Sequence, residues 1–302
     1  MPKSGMAVLL LLPVLAAGAD LELPFEFLHK QIVLQVEFNG SGPYNFVVDT
    51  GTHASTIDLG LAKRLRIPLA AVRSEGRGAG GSRVFGSAAV LEDLRAGELR
   101  VARLPVVALD LSAISEQLGR PLGGVLGHNF LASRITQIDY FRRRIRLLAD
   151  SPHKDAASRA DSATRTSFPM QFRSNSVLPV LEDFYVNEKK LTVTLDTGSS
   201  LGLILFPRTI RQLGLDELAR SGIPMEAAGY RGKAKLTKGW VRSVVLKSID
   251  LGAIEVAYVR RGYEDDEDPA RRGGNLGNAV LQDFILTLDY QNGVVVLEST
   301  AN

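Results

Sequence analysis

Two carboxylates stand in matched settings in this 302-residue chain. Asp49 opens Asp49-Thr50-Gly51-Thr52 after the apolar run Phe46-Val47-Val48, and Asp196 opens Asp196-Thr197-Gly198-Ser199-Ser200 after Leu191 to Leu195. If folding places two such groups on facing turns, they cannot both ionise freely. Like charge raises one pKa, and the pair then holds a single proton over a broad pH range. The ionised member can take a proton from water while the protonated member donates to a carbonyl oxygen. That chemistry is direct attack of water on an amide, with no covalent intermediate on the protein. Glycine after Asp-Thr lets the backbone turn tightly and leaves its N–H near a carboxylate.

The elements around these tripeptides repeat as well. Gly123-Gly124-Val125-Leu126-Gly127 is echoed by Gly273-Gly274-Asn275-Leu276-Gly277. The last glycine lies 78 residues after Asp49 in one copy and 81 after Asp196 in the other. Asp139-Tyr140 and Asp289-Tyr290 each begin 12 residues further on, and the β-like runs Ile145 to Leu148 and Val294 to Leu297 close the copies. One Asp-Thr-Gly is unremarkable at ordinary residue frequencies. Two, each after an apolar run and at matched distance from a second matched motif, indicate duplication. A period near 150 residues is too long for a solenoid and reads as two lobes. The expected division is a signal segment at 1–19, a first lobe at 20–150, a linker at 151–167 (polar and rich in small residues) and a second lobe at 168–302.

The lobes read as all-β and barrel-like, with few short helices. Ile32 to Phe38 is a strand, Asn39-Gly40 a hairpin turn, and a second strand runs to Asp49. Asp58 to Leu65 and Pro207 to Leu213 read as short helices, the latter with proline in its first turn.

Taken together, these residues resemble the pepsin-like and retropepsin-like aspartic peptidases, across nearly all of the chain after residue 19. The resemblance implies the acid-protease fold and makes Asp49 and Asp196 the catalytic pair. It also implies that Thr50 and Thr197 bond across to the opposite lobe and hold the Gly51 and Gly198 loops. Thr52 and Ser199 would donate to the carboxylates, which favours ionisation and an acidic activity range. Two positions depart from the pattern. Asn275 replaces an apolar residue, which bears on packing more than on chemistry. His53 stands where a small hydroxyl residue is usual, either as a partly exposed packing residue or as a charge beside Asp49. A hairpin should cover the substrate. Gly76 to Ser82, with Gly78, Gly80 and Gly81, suits a mobile tip in the first lobe but lacks the tyrosine of a pepsin-like flap. The matching segment of the second lobe holds Tyr230, read as structural, so either lobe could supply the cover.

Composition narrows the setting. A net charge of +3 is too weak to argue for nucleic acid. With no cysteine, disulfides and thiol chemistry are excluded. Lys3, the apolar run Ala7 to Ala16 and Ala17-Gly18-Ala19 form a secretory signal, predicting an exported, periplasmic or secreted protein beginning at Asp20, without an integral membrane segment and without a prosegment. Gly76 to Gly81 formally fits a dinucleotide fingerprint but does not clearly open a helix. Gly198 to Gly202 formally fits a serine-hydrolase elbow, yet all four histidines lie upstream of it. No histidine spacing suggests a metal, Glu264 to Asp268 reads as a solvated acidic loop, and Arg142 to Arg146 as an exposed hairpin. The expected protein is a monomeric aspartic endopeptidase acting on peptides or proteins, without a cofactor. The alternatives are a non-catalytic relative that binds peptides or glycans, and a one-lobe-like protein that works as a dimer.

Overall fold

A computed structural model describes residues 19–70, 73–77, 83–150, 164–170, 177–230, 232–259 and 272–299. The first repeat supplies β1 (Leu21–Pro24), β2 (Glu26–Leu28), β3 (Gln31–Phe38), β4 (Ser41–Val48), β5 (Ser55–Asp58), α1 (Leu59–Arg64), β6 (Arg73–Arg77), β7 (Arg83–Ala96), β8 (Leu99–Leu109), α2 (Ser112–Leu118), β9 (Gly124–Leu126), α3 (His128–Leu131), β10 (Ile135–Asp139) and β11 (Arg144–Leu148). The second supplies β12 (Arg165–Pro169), β13 (Val180–Val186), β14 (Lys189–Asp196), β15 (Leu203–Leu205), α4 (Pro207–Leu213), α5 (Asp216–Ser221), β16 (Ile223–Gly229), β17 (Gly232–Leu246), β18 (Ile249–Val259), β19 (Gly274–Gly277), α6 (Asn278–Leu281), β20 (Phe284–Asp289) and β21 (Val294–Ser299). The protein is mostly β with two barrel-like sheets and few helices, as expected of a two-lobed acid protease.

Local chemistry accounts for the boundaries near the motifs. Asn39 and Gly40 turn the chain between β3 and β4 with φ of 51° and 68°, a geometry these two residue types tolerate. Asp58 caps α1 by accepting the Leu61 N–H at 2.8 Å. Pro207 starts α4, and Gly214 ends it at φ 69°.

The first-lobe sheet runs β2-β3-β4-β9-β5-β8-β7-β6 and the second β13-β14-β19-β15-β18-β17-β16. In both lobes the strand that leads into Asp-Thr-Gly lies parallel to the short strand of the glycine motif: β4 with β9, and β14 with β19. That short strand is antiparallel to the next one along, β5 or β15. A third sheet, β1-β11-β10-β20-β21-β12, draws on both repeats. Its central pairing aligns Thr136 with Leu288 and Asp139 with Ile285, so the two Asp-Tyr hairpins lie side by side. Buried side chains of both lobes and of this sheet form one continuous apolar cluster, including Phe38, Phe46, Ile138, Phe184, Leu286 and Leu297. A smaller cluster lies in the first lobe around Val33, Val47, Leu111 and Val125.

Residues 1–18 and 151–163 fall outside the described residues, and with them most of the signal and linker segments. Arg165 to Ser167, expected as linker, are strand: they pair with Val296 to Glu298 and give the edge of β21 a partner for its backbone groups. Among the described residues no helix is long and apolar enough to cross a membrane.

Candidate active site

Asp49 follows β4 directly, and Asp196 is the last residue of β14. The Asp49 N–H donates to Leu126 O at 3.0 Å, which ties the first loop to the neighbouring parallel strand. The two loops are then locked to each other. Thr50 Oγ1 donates to Leu195 O at 2.7 Å and accepts the Thr197 N–H at 3.0 Å. Thr197 Oγ1 donates to Val48 O at 2.9 Å and accepts the Thr50 N–H at 3.1 Å. Both threonines are fully buried. Each hydroxyl thus satisfies a carbonyl and an amide that would otherwise be buried without a partner.

The glycines bring the carboxyls together. A Cβ on Gly51 would stand 2.7 Å from Asp196 Oδ1, and one on Gly198 would overlap the Asp49 carboxyl. Each acid therefore lies over the glycine of the opposite loop, a close approach that only a residue without Cβ admits. The two carboxyls are near enough for each to shift the other's ionisation. Burial, and then the Asp196 charge, push Asp49 well above the ordinary carboxylate range, against the pull of the Gly51 and Gly198 N–H groups. The Gly51 N–H lies 2.7 Å from Asp49 Oδ1. Burial raises Asp196 too, opposed first by the Asn275 side chain and then by Asp49 and the N–H groups of Gly198 and Ser199. Such a pair holds one proton at a pH where isolated carboxylates have lost theirs.

A polar shell holds the loops from behind. Gln31 Nε2 donates to Gly198 O at 2.8 Å, and Asn278 Nδ2 donates to Thr197 O at 2.6 Å and to Lys30 O at 2.8 Å. The Tyr140 hydroxyl donates to Asn278 Oδ1 at 2.7 Å. On the other side Ser55 Oγ accepts the Gly127 N–H at 3.0 Å and donates to Asn129 Oδ1 at 2.7 Å. His128, at the place matching Asn278, meets Tyr290 edge-on with ring centroids 4.8 Å apart, and burial together with His53 lowers its pKa to about 4. Burial and then Arg272 hold His53 toward its neutral form, which weakens the reading of His53 as a charge beside Asp49.

Three expectations change. The Thr52 hydroxyl points to Ala54 O at 3.5 Å, and Ser199 Oγ accepts the Leu201 N–H at 3.3 Å, so local backbone groups compete for both. Among the described residues, the side-chain donor to one of the two acids is Asn275, whose Nδ2 lies 2.7 Å from Asp196 Oδ2. The packing expected to suffer at this position is intact, because Asn275 keeps its ladder places opposite Thr194 and Ile204. Its polar type at an apolar place was visible in the sequence; its target was not.

Of the two candidate covers, one lies among the described residues. Gly78, Gly80 and Gly81 lie outside the described residues. The β16–β17 hairpin of the second lobe reaches the first lobe: the Ala228 N–H donates to Gln117 Oε1 of α2 at 2.6 Å, and Lys233 pairs with Glu116 at 3.2 Å. At its tip the Tyr230 ring packs on the small first-lobe cluster of Val33, Val47, Leu111 and Val125. Its hydroxyl is buried beside Thr52 and Thr56, in the field of both carboxylates, and burial raises its pKa. Nothing in the sequence marked Gln117.

Residues 34–130 and 183–286 match the sequence pattern of a protein family described as aspartyl protease. No curated protein matches the chain.

Proposed function

We propose that this chain, which belongs to the aspartyl protease family, is an endopeptidase in which Asp49 and Asp196 activate water against a peptide bond. Family membership supports a protease-type function. The observation that carries the specific reading is the seating of each carboxyl over the glycine of the opposite loop, on a frame locked by Thr50 and Thr197. Two acids so placed share one proton. One takes a proton from water as its oxygen attacks the carbonyl carbon, and the other protonates the carbonyl oxygen. The tetrahedral product then collapses with transfer of a proton to the departing nitrogen. With the Tyr230 hairpin latched to α2, a peptide reaches the pair only when that hairpin lifts.

The test is cleavage of a peptide library at several pH values, beside Asp49→Asn and Asp196→Asn. Cleavage by the parent, tight binding of a statin-type mimic of the tetrahedral intermediate, and loss of both in the variants are expected. Unchanged cleavage by either variant overturns the reading. Peptide binding without cleavage would instead identify a non-catalytic peptide binder.

We also propose export, on the basis of the apolar segment before Asp20 and the absence of cysteine. N-terminal sequencing of protein recovered from a bacterial periplasm should begin at Asp20. A mature chain that retains Met1 would contradict it.

A further inference from the structure

We propose that Asn275 is the positioning residue that breaks the symmetry of the pair, making Asp196 the ionised, water-activating acid and Asp49 the proton donor. This rests on reading the pair as hydrolytic.

The two halves of the site are closely alike. Both loops follow a strand paired in parallel with the glycine-motif strand, both threonines make the same two bonds, and both carboxyls lie over a glycine. An acid pair with identical surroundings has no reason to place its proton on one member. The Ser199 N–H is turned on Asp196 without a first-lobe counterpart, and among the described side chains the donors to the pair differ at one matched position. Val125, opposite Val47 on β9, has no side-chain donor and belongs to the apolar cluster beneath Tyr230. Asn275, opposite Thr194 on β19, donates to Asp196 Oδ2 at 2.7 Å. An amide N–H can only donate, and its bond to a carboxylate is strongest when the acceptor carries full charge. Among the described residues, the donors turned on Asp49 are the backbone N–H groups of Gly51 and Gly198.

Burial raises both acids, and the Asn275 side chain is the largest influence pulling Asp196 back down. The remaining titratable groups around the pair are Tyr230 from the β16–β17 hairpin and Tyr290 from the β20–β21 hairpin, whose phenols burial keeps neutral. Beyond them, His53 and His128 are both held toward the neutral form, with Arg272 next to His53.

The assignment orders the reaction. Asp196 takes a proton from water as the oxygen bonds to the carbonyl carbon, and Asp49 gives its proton to the carbonyl oxygen. On collapse Asp49 takes a proton back from one hydroxyl of the diol, and Asp196 gives its proton to the nitrogen as the C–N bond breaks. A carboxyl group and an amine leave, and the pair returns to its starting state. The substrate carbonyl must therefore face Asp49.

The experiment is a titration of the full chain carrying 13C-labelled aspartate carboxyls, for the parent, Asn275→Leu (same shape, no donor) and Asn275→Ser (too short to reach). The lower macroscopic step of the pair should rise by about one pH unit in both variants, a tenfold gain in proton affinity. In Asn275→Gln, which keeps the amide, it should move less. Where the parent cleaves peptide, the acidic limb of kcat/KM should move up by the same amount with KM little changed, an outcome that general loosening would not produce. A lower step that stays in place in either folded variant overturns the proposal. The titration needs no turnover, so a parent that cleaves nothing removes the hydrolase reading and leaves the assignment of charge to be judged by the same spectra.

Discussion

Thr50 and Thr197 are bonded reciprocally: each hydroxyl accepts the other residue's amide, at 3.0 and 3.1 Å, and donates to a strand carbonyl of the opposite lobe. Both are completely buried, so the relative position of the two carboxyls is set by four bonds that water does not reach.

Thr50→Val or Thr197→Val keeps the shape and leaves one carbonyl and one amide unpaired. Each should lower unfolding free energy by about 1–3 kcal/mol. The double variant should cost less than the sum, because each change loosens the neighbouring loop whose two bonds the other change removes. Urea denaturation of the three variants measures this; strict additivity would show that the bonds are independent.

Asp49→Asn should stabilise the fold at neutral pH while abolishing hydrolysis. The raised carboxyl binds its proton more tightly in the folded chain than in the unfolded one. Its contribution is therefore full below the ordinary carboxylate pKa and is lost as pH rises through the raised value. Asparagine removes that loss, so Tm should rise at pH 7 and change little at pH 3. For the same reason both limbs of the parent's pH–rate curve should lie above 3.8, the ordinary aspartate value. An unchanged Tm at pH 7 would count against a buried shared proton.

Gln117→Ala removes the acceptor of the Ala228 amide and half of the tie between α2 and the β16–β17 hairpin. A net loss of about 0.5–1.5 kcal/mol corresponds to a roughly two- to tenfold larger open population. Amide exchange over Ile223 to Lys233 should quicken by that factor, with β14 and β19 unaffected. Equal exchange in parent and variant would mean that the Tyr230 ring and the Lys233–Glu116 pair hold the hairpin down without this bond.

His128→Asn tests the other asymmetry. His128 is held at about 4 against an ordinary 6.5, so between these values the unfolded chain binds its proton more tightly. Stability should fall as pH drops through that window and level off below it. Asparagine, which already stands at the matching position 278, should flatten this part of the stability curve. A curve of the same slope in the variant would place the acid sensitivity elsewhere.

Much of the site is written locally. Two Asp-Thr-Gly tripeptides, two glycine motifs at matched distance and the apolar runs before them specify two similar lobes with an acid at the end of a strand in each. Pro207 and Gly214 bound α4, and Asn39-Gly40 turns a hairpin, because a ring, a missing Cβ or a tolerated positive φ acts on its own few residues. Other features depend on where remote backbone arrives. Arg165 to Ser167 look like linker until β21 lies beside them. Tyr230 reaches the first-lobe apolar cluster because a hairpin of one lobe lands on α2 of the other. Asn275 reads as a fault in an apolar motif until the parallel pairing of β14 and β19 brings its amide to Asp196 Oδ2. A side chain's type records what it can bond; only the folded chain decides which partner comes within about 3 Å of it.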